Sequence, residues 1–266
     1  MSRKLKVYLS ILFILFLIFT YGALFYPHSS KLPSGGSLES PSATHFLGTD
    51  DLGVDVFSQL SKGFFLSMFI GLSTSTMSFF IGGILGFIAG YAGGKIDFFI
   101  SFLINFFLSI PQLPIMIVIG AFFGQSLLNI VIIISLFSWA YIAKITRVKV
   151  LEIKNRDFII ISKSYGAGFY YIFKKHMFSE IVPIIIINSL SIIGKAIIQE
   201  SSLAFLGLSD PTSRSWGLMI QKVINFPGIY FTEFWVWWLL PPLISLTLVT
   251  YCTRMICREA EEIILA

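Results

Sequence analysis

Long apolar runs broken by short polar stretches set the pattern of this chain. Residues 7–26, 63–94, 98–143, 181–208 and 234–253 carry almost no charge. A helix crossing a bilayer needs about 20 consecutive apolar residues. Each run reaches that length. Residues 98–143 suffice for two spans, with a turn near Gly124-Gln125-Ser126. The pattern predicts an all-α membrane protein with six transmembrane helices. Residues 1–6 form a short polar N-terminus and 7–26 the first span. Residues 27–62 form a polar loop rich in Ser, Gly and Pro, and 63–266 form a core with the other five spans. The first run resembles a secretory signal in its basic flank. Its length, and the lack of a small-residue cleavage pattern after Tyr26, favour a retained span.

The longest polar interruption, 144–180, has a pattern of its own. Asp157 is placed to cap a short helix from Phe158, because its carboxylate accepts free first-turn N–H groups. Phe158, Ile161 and Tyr165 then share one face at helical spacing. Gly166-Ala167-Gly168 ends the helix, since glycine adopts a positive φ at little cost. A second amphipathic run follows over 169–178. An exposed apolar face beside a membrane suits a groove on another protein. Lipid headgroups are the other reading, and the lysines suit it too.

Composition agrees with a membrane protein. The chain is 56% hydrophobic and 12% charged, where soluble domains carry about a quarter charged residues. Its net charge of +5 comes mostly from 144–180, which holds eight Lys or Arg against three acids. Basic loops lie on the cytoplasmic side, so the charge reports topology and not nucleic-acid binding. Arg3, Lys4 and Lys6 place the N-terminus inside, and six spans return the C-terminus there. Trp235, Trp237 and Trp238 suit an aromatic belt at the outer boundary of the last span. Pro241 and Pro242 are expected to kink that span.

Candidate chemistry is sparse. Cys252 and Cys257 form no disulfide framework and lack the partners of a zinc site. Gly82, Gly86, Gly90 and Gly94 make a small-residue stripe for close helix approach, as a sliding surface or as static packing. Gly94-Lys95 is no phosphate loop, because Ala89 and Ile96 stand where Gly and Ser or Thr are required. Pro111 and Pro114 fall in the third span and are expected to bend it, marking a candidate pathway. Lys195 and Glu200 lie within the fifth span, where charge is costly and a functional hypothesis by default. Asp50, Asp51, Asp55 and His45 suggest a metal site on the loop. The competing reading is a capped helix entry, with Thr49 or Asp50 as cap, and the expectation is no metal. The three histidines, His28, His45 and His176, divide between the two sides of the membrane.

Several stretches together resemble one family. Residues 47–58, LGTDDLGVDVFS, resemble the LGTDxxGRDxxSR signature of the C-type permease subunit of dipeptide, oligopeptide and nickel ABC importers. Residues 200–208, ESSLAFLGL, resemble its ExxLSFLGLG, 215–219 its SWGxM, and Gly90 to Asp97 its GYxGGxxD turn. The matches keep the family's order from about residue 40 onward. The resemblance implies a type I ABC importer permease fold in a prokaryotic inner membrane. It implies a second homologous permease, two cytoplasmic ABC ATPases and an extracytoplasmic solute-binding protein as partners. ATP and Mg²⁺ would be confined to the ATPases, with no cofactor and no catalysis in this chain. The solute would be a peptide, or nickel as metal or chelate.

The resemblance assigns Asp157, Ile160, Ile161, Ser162, Tyr165, Gly166 and Ala167 to the helix that docks in an ATPase cleft. It assigns Gly48, Thr49, Asp50, Gly53 and Asp55 to the extracytoplasmic motif. Ile160-Ile161-Ser162 stand where the family has Glu-Ala-Ala, so apolar anchoring replaces a carboxylate. Val54 and Gln59 replace two arginines, which removes an expected salt bridge. Two other classes remain. A gradient-driven secondary transporter would use Lys195 and Glu200 as a relay, and a membrane-embedded enzyme would need convergent catalytic groups.

Overall fold

The computed structural model describes residues 3–265, apart from the side chains of Lys163, Ile264 and Leu265. Met1 and Ser2, the start of the expected N-terminal segment, lie outside the described residues. The fold is all-helical, and the one β-type contact among the described residues is an isolated bridge between Thr49 and Asp55. In order come α1 (Arg3–Leu24), α2 (Val56–Ala92), α3 (Gly94–Ser109), α4 (Gln112–Phe123), α5 (Leu127–Lys154) and α6 (Asp157–Ser164). Then come α7 (Phe169–Ile172), a π-helical turn (Phe173–Met177), α8 (Phe178–Phe205), α9 (Trp216–Asn225), α10 (Trp235–Trp238) and α11 (Leu240–Leu265). Among the described residues, five helical stretches are long and apolar enough to cross a membrane, or six if α3 and α4, bent by 92°, count as one broken span.

The bend has a specific cause. Ile110 and Pro111 are extended, and Pro111 precedes the first turn of α4. Pro114, expected to bend the span as well, instead lies in that first turn. The first N–H groups of a helix have no partner there in any case, so its missing donor is tolerated. Pro241 and Pro242 follow a break in the last span, where Leu239 separates α10 from α11. They stand in the first turn of α11 and mark its start. The tryptophans also differ from a belt. Trp235 is exposed, but Trp238 is buried among Val56, Leu60, Trp216 and Val249.

Helix α2 is the centre of the bundle. Its 37 residues span about 55 Å, longer than a ~30 Å hydrocarbon core. It starts at Val56, inside the stretch expected to be loop, and Asp55 is its cap, not Thr49 or Asp50. The glycine stripe packs against α5. A Cβ on Gly82 would fall 2.6 Å from the Trp139 carbonyl oxygen, and one on Gly90 2.7 Å from the Val150 Cβ. One on Gly86 would collide with the Ala143 carbonyl. Gly94 leaves the stripe and opens α3 with φ +57°. Backbones this close are locked and do not slide, which favours static packing. The outer faces stay apolar; Phe98, Phe99, Phe102, Phe122 and Phe123 are all exposed.

The bundle thus has two unlike ends. The loop end carries residues 25–55, α9 and α10. The basic end carries α6, α7 and the charged tips of α5 and α8.

Candidate functional site

At the basic end, α6 stands as a separate short rod. The Arg156 carbonyl accepts from the Ile159 and Ile160 N–H groups. Arg156 therefore holds the cap position, and Asp157 lies in the first turn, where its charge still suits a helix N-terminus. The rod closes with a Schellman turn. The Ala167 N–H donates to the Ser162 carbonyl, and Gly166 sits at φ +83°. Ile159, a residue the sequence reading passed over, is buried among Val150, Ile153, Ile172, Met177 and Ile181. The rest of the rod faces out. Ile160 is 52% exposed, Ile161 54% and Tyr165 89%, with Phe158 beside them. Four large apolar side chains over about two helical turns form an unsatisfied surface.

Charges bind the segment to both helices that flank it. Arg156 Nη1 lies 2.7 Å from Glu180 Oε1 on α8, and Nη2 lies 2.6 Å from Glu152 Oε1 on α5. Lys149 reaches Glu152 at 3.0 Å and Glu180 at 3.6 Å. Glu152, joined by Glu180, holds the Arg156 guanidinium above its ordinary pKa. Nearby, Arg147 makes a two-point bond to Asp97, with Nη2 to Oδ2 at 2.8 Å, and Lys154 donates to the Tyr91 carbonyl at 2.7 Å. The GYxGGxxD-like turn is thereby tied to α5. Bidentate Arg–carboxylate geometry is the more orienting form of such a bond.

At the loop end the motif residues build a closed knot. Asp50 Oδ1 accepts from the Leu52 and Val54 N–H groups at 2.9 and 2.8 Å, and Oδ2 from Gln59 Nε2 at 2.7 Å. Gln59 therefore takes over as hydrogen-bond partner where an arginine was expected, and Val54 is buried. Thr49 Oγ1 donates to the Gly36 carbonyl and accepts from the Glu39 N–H. Gly48 and Gly53, at φ +67° and +75°, turn the chain around these bonds. Asp55 Oδ1 accepts from the Ser58 N–H at 2.7 Å, and Oδ2 meets His45 Nδ1 at 2.8 Å. Asp51 is exposed, and neither it nor Asp50 joins the group that gathers His28, His45 and Asp55. The SWGxM-like stretch acts as a clasp. Ser215 caps α9, Trp216 is fully buried and donates to the Leu60 carbonyl, and Gly217 lets α9 press onto Ser201.

Within the spans, Lys195 and Glu200 part company. Lys195 is exposed, its Nζ 4.3 Å from the Tyr141 ring centroid. Glu200 is fully buried, and its Oε1 has no hydrogen-bond partner. No ion pair joins them among the described residues. Lys195 instead belongs to a polar stripe unseen in the sequence reading. Asn188, Ser191, Lys195, Gln199 and Ser202 follow one another three or four residues apart on α8, and none is buried. Tyr141 donates to Asn188 at 3.3 Å, and Gln199 donates to Gln112 at 3.0 Å, just past the Pro111 break. The signal was there as helical periodicity of polar, not apolar, residues.

Residues 82–256 match the family model described as binding-protein-dependent transport system inner membrane component. The chain belongs to this family. It is similar to the dipeptide transport system permease protein DppC of Bacillus subtilis (strain 168), 34% identical over 254 residues, 94% of this chain and 79% of that protein. Its structure is similar to a chain of the inward-facing MetNI methionine ABC transporter, with a TM-score of 0.60 at 17% identity. That match covers 77% of this chain and 94% of the other, and it speaks for the fold. The permease is thus a multi-pass inner-membrane component of an ABC importer and not an enzyme. ATP hydrolysis belongs to separate ATPase subunits, and a binding protein supplies the solute.

Proposed function

We propose that this permease pairs with a second, homologous permease to import peptides, and that α6 seats in a cleft of a cytoplasmic ATPase. The loop end faces outward to the binding protein, and both termini lie inside. The observation that carries this reading is α6 itself. It is a capped helix with one buried anchor and four exposed apolar side chains, set among lysines at the basic end. Positive charge belongs on the cytoplasmic side, and apolar helix faces are recognised by apolar grooves.

Mechanism follows from the ties around α6. ATP binding closes the ATPases, and the closing clefts carry α6 with them. The bonds of Arg156 to Glu152 and Glu180 pass that displacement to α5 and α8 together. The polar stripe of α8 turns with it, so Asn188, Lys195 and Gln199 line the path between the two permeases. Hydrolysis and release reset the pair, an alternating-access cycle of rigid bodies. Pro111 provides the break around which α4 follows Gln199, and Pro114 keeps α4 started correctly. Glu200, packed beside Ser201 under the α9 clasp, holds the outer gate. ATP and Mg²⁺ act in the ATPases alone.

The dipeptide in the name of the Bacillus relative supports a peptide as cargo; nickel or a metal chelate is the competing cargo. The test is reconstitution of this permease with its co-purifying partners and binding protein in liposomes. ATP-dependent uptake of a labelled dipeptide is expected, unaffected by an ionophore. Uptake of ⁶³Ni²⁺ in place of dipeptide would reassign the cargo. Uptake driven by an ion gradient without ATP would contradict the reading.

A further inference from the structure

We propose that the loop end holds a structural divalent cation of the zinc, cobalt or nickel type between His28, His45 and Asp55. One ligand atom from each lies within 4.8 Å of the other two. The three come from separate segments. His28 follows α1, His45 sits mid-loop, and Asp55 caps α2. Asp55 is fully buried and His45 nearly so, while His28 is half-buried and gives an entry route.

Hydrogen bonds favour a cation here. His28 Nε2 lies 2.9 Å from the Thr44 carbonyl. A carbonyl can only accept, so the ring proton sits on Nε2 and the Nδ1 lone pair is free to ligate. Fixing a tautomer through the other ring nitrogen is how proteins prepare a metal-binding histidine. His45 Nδ1 faces Asp55 Oδ2 at 2.8 Å, a position in which a metal replaces the shared proton. The two rings lie close, with centroids 4.4 Å apart and planes 34° from parallel. Tyr26 adds a hydroxyl 3.2 Å from Asp55 Oδ2, and that single proton is also directed at the Thr44 carbonyl. His45 Nδ1 and the Tyr26 hydroxyl thus converge on the same Asp55 oxygen.

Two imidazoles and a carboxylate are a donor set for borderline divalent metals, with a fourth position open to water or Tyr26. Ligand atoms around a tetrahedral ion with bonds of about 2.1 Å stand about 3.4 Å apart, between the 2.8 Å of the His45–Asp55 pair and the 4.8 Å that bounds the group, so binding needs only small side-chain shifts. The ion would staple the end of α1 to the start of α2 across a long loop. This inference stands apart from the transport reading, because it concerns binding at a site that no step of transport uses.

The test uses the intact importer purified without a polyhistidine tag and stripped with chelator. Titration with Co²⁺ is followed by visible absorption, then by displacement with Zn²⁺. Wild type is expected to bind one Co²⁺ per copy of this chain more than the His28→Ala variant, with the intense bands of a four-coordinate ion. Zn²⁺ should raise the melting temperature of wild type and leave that of His28→Ala unchanged. His28→Ala is the deciding variant because its side chain is half-buried and caps nothing. Asp55→Asn retains an acceptor for the Ser58 N–H and should weaken Co²⁺ at least tenfold. Equal stoichiometry and spectrum in wild type and His28→Ala would overturn the proposal, as would no binding by folded wild type.

Discussion

The two ends of this permease solve opposite problems. At the loop end, buried polar groups of the motif find partners within the chain. Asp50 uses both oxygens on Leu52, Val54 and Gln59, and Asp55 does the same with Ser58, Tyr26 and His45. At the basic end, α6 buries Ile159 and leaves Phe158, Ile160, Ile161 and Tyr165 in the open. Its ties are ion pairs at a partly exposed surface. The knot finds its protein partners within the chain, whereas an open rod needs another protein to sit on. The difference separates residues that hold structure from residues that transmit force.

The largest effect should come from the knot. Asp55→Ala removes a helix cap and strands buried His45, at a cost of about 2–3 kcal/mol. Thermal unfolding of the purified importer should show a clear fall, with transport lost alongside. Asp157→Ala, at the open end, should barely change the melting temperature. Equal falls in both would erase the comparison.

Next comes the exposed face of α6. Ile160→Asp or Ile161→Asp should cut uptake tenfold or more, equivalent to about 1.4 kcal/mol of coupling, with the melting temperature unchanged. Normal uptake would show that this face transmits nothing. Gly166→Ala should then cost about 1 kcal/mol, because an L-residue at φ +83° is strained. That loss should appear as weaker binding-protein stimulation of ATPase activity. Full stimulation would show that the turn tolerates a side chain.

The smallest effect belongs to the charge cluster. Its members are exposed by about a third or more, save Lys149, and such pairs contribute about 0.2–1 kcal/mol each. Arg156→Gln should lower coupling only a few-fold, more at low salt than at high. An Arg156→Glu, Glu180→Arg double variant should regain part of it. Salt-independent behaviour would assign Arg156 to packing.

Much of this was legible in the sequence because membranes impose length and polarity so strictly. Six spans, the basic interruption and a short helix ended at Gly166 all follow from local pattern. What stayed hidden depends on contact across the chain. The partner of Gln59 is Asp50, nine residues away, and only the fold brings them together. His28 meets His45 only in the folded loop, where their ring centroids lie 4.4 Å apart. The meaning of Pro114 depends on register. Pro114 in a helix interior would bend it, yet in a first turn it begins one. Ile159 was overlooked because an apolar rod offers no sequence cue to which side its own protein keeps. The α8 polar stripe carries one charge among five members, so charge alone does not reveal it.

The central claim is that the open face of α6 sits on an ATPase. Cysteine crosslinking tests it most directly. The two native thiols, Cys252 and Cys257, are buried, so Ile161→Cys or Tyr165→Cys adds the one reactive site at that face. Native membranes would be treated with a short bifunctional maleimide, and the products identified by mass spectrometry. The account predicts a covalent adduct with an ABC ATPase subunit from both positions, and none from a cysteine at Ser37 on the opposite end. Efficient labelling of α6 with no ATPase adduct, or protection of both cysteines by lipid alone, would contradict it.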